Sequence, residues 1–404
     1  LRETWRRLAR IQHMERALTV LALAAALVPA LPIAASADVQ GDFKRGDLAA
    51  AAKGWSAAIA SDPKNADALL GLARIQLYED RREDAARLAN AASAASPSAA
   101  AAATKILTEV KRRDDALDPA NVTVPKVGAR VPFVITDPLP ILKVRVNDKA
   151  DAYFLLDTGA PTASLDPAFA SELGIATEDD GTGTFLGGKT ATIKSATLSS
   201  LTLGSATIRN LPVALFPTRG FNLDARYRLD GVIGTGVLYR FLSTIDYPHG
   251  ELVLRPRNAA ADFERRAAES KAVSVPMWLV GDHFIFIQAN VNDGPERLFN
   301  VDTGAAGVGI MPSPATVADS HITLDAAHAS EATGGGGKVK IVPFVATVWF
   351  ATIRRTDVPG SYTPDGNLYG LFPFEAGGSL SHLVFRPYAL TFDFVAMKLL
   401  LAGP

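Results

Sequence analysis

No cysteine occurs among the 404 residues. That one absence removes disulfides, thiolate nucleophiles, iron–sulfur clusters and every thiolate zinc site. It leaves the compartment open, because an exported protein with a large core folds without crosslinks. Histidine is scarce, at six, and no His-Glu-x-x-His pair is present to hold a catalytic zinc. No Gly-x-Ser-x-Gly occurs either, so a serine-hydrolase elbow has no support. A surplus of either charge is missing as well: 41 Lys and Arg against 42 Asp and Glu leave −1. No global attraction to nucleic acid or anionic lipid is therefore expected. The four tryptophans, Trp5, Trp55, Trp278 and Trp349, are too scattered for a base-stacking platform and suit core or interface positions. Nothing in this inventory calls for a metal or other cofactor.

Long apolar runs are nearly absent too. The one run of note, residues 17–28, follows Arg6, Arg7, Arg10 and Arg16 and precedes Ala35-Ser36-Ala37. This basic, apolar and small-x-small order matches a secretory signal over 1–37, and the run is shorter than the ~20 residues of a membrane span. The expectation is an exported, periplasmic or extracellular protein with no membrane span after cleavage. An uncleaved N-terminal anchor is the alternative.

Residues 38–115 are Ala-rich with helical spacing. Pro63 and Pro97 stand 34 apart, and at the same offset Ala51 matches Ala85, Ala58 matches Ala92, and Ser61-Asp62-Pro63 matches Ala95-Ser96-Pro97. Small residues where paired helices approach and a proline closing each pair resemble the tetratricopeptide repeat, about two units of it. Such helices would recruit a protein partner; a generic helical hairpin is the plainer alternative. Residues 116–130 read as a Pro-containing linker. Beyond them, short apolar segments with Gly and Pro punctuation, among them 141–146, 153–156, 191–203, 284–291, 339–350, 389–394 and 398–401, indicate a β-rich region.

That region repeats itself. Val146-Asn147-Asp148 recurs as Val291-Asn292-Asp293, and Asp157-Thr158-Gly159-Ala160 as Asp302-Thr303-Gly304-Ala305, both shifted by 145. Further on, Thr244-Ile245-Asp246-Tyr247 matches Thr391-Phe392-Asp393-Phe394 at a shift of 147, and Leu252 and Leu254 meet Leu399 and Leu401. One Asp-Thr-Gly arises by chance in roughly one chain of this length in ten. Two copies in a duplicated frame, each after an apolar strand, point to two homologous lobes, 131–258 and 273–404, joined by a charged connector at 259–272.

This constellation resembles the aspartic peptidases, particularly the retropepsin-like branch, with two lobes fused in one chain. The resemblance covers about 131–404 and implies a mainly β, bilobal fold with pseudo-twofold symmetry, preceded by the helical segment. It implies Asp157 and Asp302 as catalytic residues, and Thr158 and Thr303 as hydroxyls locking the two loops together. It also implies apolar-apolar-Gly strands beneath the loops, Val232-Ile233-Gly234 and Leu368-Tyr369-Gly370. Independently of family, glycine at 159 and 304 lets backbone donors approach the carboxylates. Two carboxylates a few ångströms apart do not both ionise cheaply, so they share a proton and suit water-mediated hydrolysis of a polypeptide. Gly-rich stretches at 181–192 and 334–340 are candidate hairpin flaps or ordinary surface loops. The second half departs in Tyr369, Asn300 and the loose Ala306-Gly307-Val308-Gly309, so a silent peptide-binding scaffold stays open as the alternative to an endopeptidase, and lobes pairing between chains as an alternative to pairing within one.

Gly183 to Thr190 fits GxxxxGK[ST], but a phosphate loop needs a buried strand before it and a helix after it. Glu178-Asp179-Asp180 precedes and a Thr/Ile/Ser alternation follows, so nucleotide binding is not expected. Gly234-Thr235-Gly236 lacks the third glycine of a dinucleotide loop, position 239 being Tyr.

Overall fold

In a computed structural model, the described residues are 38–403, apart from 185–189, 222, 335–336 and 365–368. The expected signal segment 1–37 lies outside them. The described residues from Val39 onward form one compact unit. No helix among the described residues is long and apolar enough to cross a membrane.

Five helices open the unit: α1 Val39–Arg45, α2 Leu48–Ser61, α3 Ala66–Tyr78, α4 Arg82–Ala95 and α5 Ala100–Ala116. Side chains satisfy exposed helix-start amides in two of them: Asp47 accepts from the Ala50 N–H (2.9 Å) and Asn65 from the Ala68 N–H (3.0 Å). Pro63 and Pro97 each follow the capping residue that ends a helix, where the missing N–H is harmless. Ala51, Ala85, Ala89 and Ala92 are fully buried at the helix contacts. The helices α2 and α4 begin 34 residues apart, as do α3 and α5 (48 to 82, 66 to 100).

The rest is mainly β, as the alternating pattern implies. Strand Ala150–Leu156 pairs antiparallel with Ile141–Val146 and parallel with Leu229–Ile233, against which Ala163–Leu165 runs antiparallel. The second half repeats every one of these pairings: Arg297–Val301 lies antiparallel to Phe284–Val291 and parallel to Ala376–Leu380, which Ile310–Pro312 flanks. The recurring Asn has a local reason. Asn147 and Asn292 both take positive φ (52° and 50°) at a strand turn, a region Asn tolerates. Each donates its N–H to a neighbouring strand carbonyl, Ser200 or Thr347, at 2.8 Å. Each also accepts that residue's N–H through Oδ1, at 3.2 and 3.0 Å.

The halves meet in one sheet of order Val273–Pro276, Lys398–Ala402, Ala389–Asp393, Leu242–Asp246, Glu251–Arg255, Ala129–Ile135. At its centre Thr244 faces Thr391, their hydroxyls 2.7 Å apart. Pro132 sits where its strand leaves Glu251–Arg255 and passes, through an irregularity, to Ile141–Val146. There a missing donor costs little. The charged stretch expected as a connector contains a helix, Ala260–Glu269.

Candidate active site

Each Asp-Thr-Gly follows the last residue of a buried strand, and the main chain pins it: the Asp157 N–H donates to Ile233 O and the Asp302 N–H to Leu380 O, both 2.9 Å. Because those acceptors end the two parallel partner strands, the repeated topology carries both loops to the same place. Thr158 and Thr303, both fully buried, cross-link them. The Thr158 N–H donates to Thr303 Oγ1 and the Thr303 N–H to Thr158 Oγ1, each at 3.0 Å. The Thr158 hydroxyl donates to Val301 O at 2.7 Å.

This lock brings the carboxyl groups of Asp157 and Asp302 into mutual hydrogen-bonding contact. Each also accepts from the glycine two residues on, Gly159 N–H at 2.7 Å and Gly304 N–H at 3.0 Å. The opposite loop's glycine lies hard against each carboxylate. A Cβ on Gly304 would stand 2.1 Å from Asp157 Cγ, and one on Gly159 2.6 Å from Asp302 Oδ1. Both aspartates remain half-buried.

Burial first, and the facing Asp302 carboxylate second, hold the Asp157 carboxyl well above the usual carboxylate range. Burial raises Asp302 as well, opposed by the Gly304 N–H, the hydrogen bond with Asp157 and the nearby His283. Both carboxyls are thus raised, chiefly by burial, and the titration belongs to the pair. Tyr247 lies within electrostatic reach of Asp157, and Tyr369 of Asp302; burial raises both phenols. The Tyr369 hydroxyl donates to Met311 O at 2.7 Å.

Gly234 directly follows the strand beneath the first loop. A Cβ there would stand 2.5 Å from Ala160 O and 2.8 Å from Pro161 O and Thr162 O, so only glycine fits. Thr235 then fastens the loop, donating its hydroxyl to Thr158 O at 2.8 Å.

In the second half the expectation for Gly370 is corrected. Gly370 lies in a short 3-10 turn, Tyr369–Leu371, with nothing within 4 Å of where its Cβ would be. The strand beneath the second loop is Ala376–Leu380, and Ser381-His382 stand where the first half has Gly234-Thr235. A serine fits because the second loop is longer: the flanking strand pairs with its neighbour at Ala163 in one half and Ile310 in the other, six positions after Asp157 and eight after Asp302. Ser381 Oγ accepts from the Ala305 N–H (3.3 Å) and donates to Ala305 O (3.2 Å). His382 Nδ1 donates to the same carbonyl at 3.0 Å, and burial pushes this imidazole's pKa below its usual value. The sequence carried a signal for this: Gly234 shifted by 147, the offset of the later repeat, is position 381.

The candidate flaps fall on antiparallel hairpins, Thr177–Thr184 with Thr190–Leu203 and Ser330–Gly334 with Gly337–Phe350. Their tips, 185–189 and 335–336, lie outside the described residues, as does most of the GxxxxGK[ST] match.

No curated protein matches the chain. Among solved structures it is similar to a retropepsin-like aspartic protease from Rickettsia conorii, at 20% identity over 33% of this chain and 91% of that one, with a TM-score of 0.23. Residues 142–237, the span from the first paired strand through the first Asp-Thr-Gly to the segment beneath it, match the family model described as aspartyl protease.

Proposed function

We propose that this protein is an aspartic endopeptidase whose two homologous halves, 131–258 and 273–404, each supply one catalytic aspartate. The observation that carries the reading is the contact between two buried-edge carboxyl groups, each against the other loop's glycine, held by the Thr158–Thr303 cross-link. In the proposed reaction a water between the carboxyls loses a proton to the ionised member of the pair as its oxygen adds to the peptide carbonyl, and the protonated member gives its proton to the carbonyl oxygen. The C–N bond of the resulting diol then breaks: the newly protonated carboxyl gives its proton to the leaving nitrogen while one diol hydroxyl returns its proton to the other carboxylate, which leaves the pair with a single proton again. Neither step needs a cofactor.

The test is turnover of denatured protein substrates from acid to neutral pH by wild type, Asp157→Asn and Asp302→Asn. Each substitution keeps the side-chain volume, and each is expected to lower kcat by about 10³-fold, within the usual range for a positioned acid or base. Undiminished turnover in either variant would remove the proposal. The rival reading, a silent peptide-binding scaffold, draws on the longer second loop with its Ser381-His382. Peptide binding with no Asp157-dependent cleavage at any pH would favour it. Mixing the two single variants tests pairing between chains, which alone would restore activity. As further proposals, the helical segment is tetratricopeptide-like and recruits a protein through its free faces, which pull-down with residues 38–116 deleted or present would test. The protein is exported, which fractionation with and without residues 1–37 would test.

A further inference from the structure

A buried ionic network fastens the helical segment to both halves. Asp80, just beyond α3, accepts from the Tyr239 hydroxyl at 2.8 and 2.9 Å and pairs with Arg113 at 3.3 Å and Arg257 at 3.5 Å. Arg113, fully buried, donates to Leu279 O and Gly281 O, each at 3.0 Å. In this anchor every cation faces a carboxylate.

Beside the anchor, where α5 meets both halves, lies a cavity of about 350 Å³. Its volume falls at the lower end of the range that holds small ligands. Arg112 of α5 lines it, with Thr162 and Arg240 from the first half and Leu279 and Asp282 from the second.

Arg240 is the odd member. It is only 8% exposed, yet among the described residues it pairs with no carboxylate. The other arginines of the molecule's inner networks, at 112, 113, 219 and 257, each have a carboxylate oxygen at 2.6 to 3.5 Å. Arg240 Nη1 donates to Ala116 O, and Nε is buried with no acceptor among the described residues. Burial first, and the Arg112 guanidinium second, push Arg240 below the usual arginine value, and no carboxylate opposes them. A buried cation beside a second cation is costly unless an anion joins them.

Arg112 has a donor to spare. Its Nε and Nη2 hold Glu109 at 2.9 and 2.6 Å, Nη2 also reaches Asp282 O at 3.1 Å, and Nη1 has no acceptor among the described residues. The acids at the cavity are engaged elsewhere: Asp115 accepts from Lys111 Nζ at 2.6 Å, and the Asp282 carboxylate pairs with His283 Nδ1 at 2.5 Å. Asp282 is within electrostatic reach of Arg112 but not of Arg240. Arg112 is thus partly offset, and Arg240 is not.

We propose that this cavity binds a small oxyanion, the phosphate or carboxylate group of a small free acid, between Arg240 and Arg112. A guanidinium fork matches the paired oxygens that either group presents. Such a ligand supplies the counter-charge that the fold leaves Arg240 without, and it joins α5 to the first half at a second point beside the anchor. Binding involves no turnover, so its test is independent of the peptidase reading.

The experiment is isothermal titration calorimetry of the full chain with inorganic phosphate and, separately, with succinate, at one ionic strength balanced by chloride. One-to-one binding of at least one of them is expected at millimolar concentrations or below. Phosphate alone would identify a phosphate site and succinate alone a carboxylate site, each in support. Arg240→Met, which keeps much of the apolar stem, is expected to weaken binding about tenfold or more, the usual worth of a hydrogen bond to a charged group. Half-exposed Arg112→Met is expected to do the same, and it carries the test where Arg240→Met does not fold. The bound ion should also raise the melting temperature of the wild type more than that of either variant, which separates binding from the general salting effect of phosphate. No one-to-one binding of either ion, or an unchanged affinity in the folded variants, would overturn the proposal.

Discussion

Replacing Thr158 by valine tests the joint between the halves without reference to chemistry. Valine has the size and branching of threonine but no hydroxyl. In the structure that hydroxyl accepts from the Thr303 N–H at 3.0 Å and donates to Val301 O at 2.7 Å, in a place closed to solvent. The variant leaves one buried donor and one buried acceptor unpaired, each worth about 1–3 kcal/mol, so the expected loss is roughly 2–6 kcal/mol. That is a large part of the 5–15 kcal/mol that typically holds a folded protein together. Thr158→Ser keeps the oxygen and loses one methyl, so about 1 kcal/mol is expected. Chemical denaturation followed by tryptophan fluorescence measures both, and the midpoint should fall far more for valine than for serine. Equal midpoints for the two variants, or a valine loss below about 1 kcal/mol, would refute the claim that these hydrogen bonds hold the halves together.

Two further outcomes follow from the same geometry. The Asp157 carboxyl is raised in the folded protein, so its contribution to stability is complete below the ordinary carboxylate pKa of about 3.9 and is lost as pH rises through the raised value. Asp157→Asn should therefore leave stability unchanged or lower in acid and higher than wild type near neutrality, seen in melting temperatures across pH; a difference that does not vary with pH would contradict this. In the wild type, the rate should fall on the alkaline limb as the pair loses its shared proton. Asp80→Ala removes the carboxylate shared by buried Arg113 and Tyr239 and half-buried Arg257. A loss of about 3–5 kcal/mol is expected, as for other broken buried pairs, together with faster limited proteolysis within 39–116; unaltered proteolysis would show the anchor to be unimportant.

The two Asp-Thr-Gly loops, the duplicated frame and the Ala-rich helical start were legible because each rests on local chemistry: a turn that needs Asn, a loop that needs glycine, helix contacts that need alanine. The mainly β character was legible from alternation. Gly370 was misread for the opposite reason. Leu368-Tyr369-Gly370 has the local look of an apolar strand ending in glycine, but which strand runs beneath a loop is decided by pairing register, and register selects Ala376–Leu380. Ser381 is tolerated there because two extra loop residues relieve the crowding that forces glycine at 234.

By itself, then, the sequence showed the two Asp-Thr-Gly loops and the repeat that makes two halves, since these are short-range requirements of backbone and side chain. Only the tertiary structure decided that the carboxyls meet, that burial raises both of them, and that the helices pack against Leu298 of the second half and not against the matching strand of the first. Those outcomes depend on contacts between residues far apart in the chain. Phe43 meeting Phe374, Asp80 meeting Tyr239 and Thr158 meeting Thr303 have no expression in the spacing of residues along any one segment.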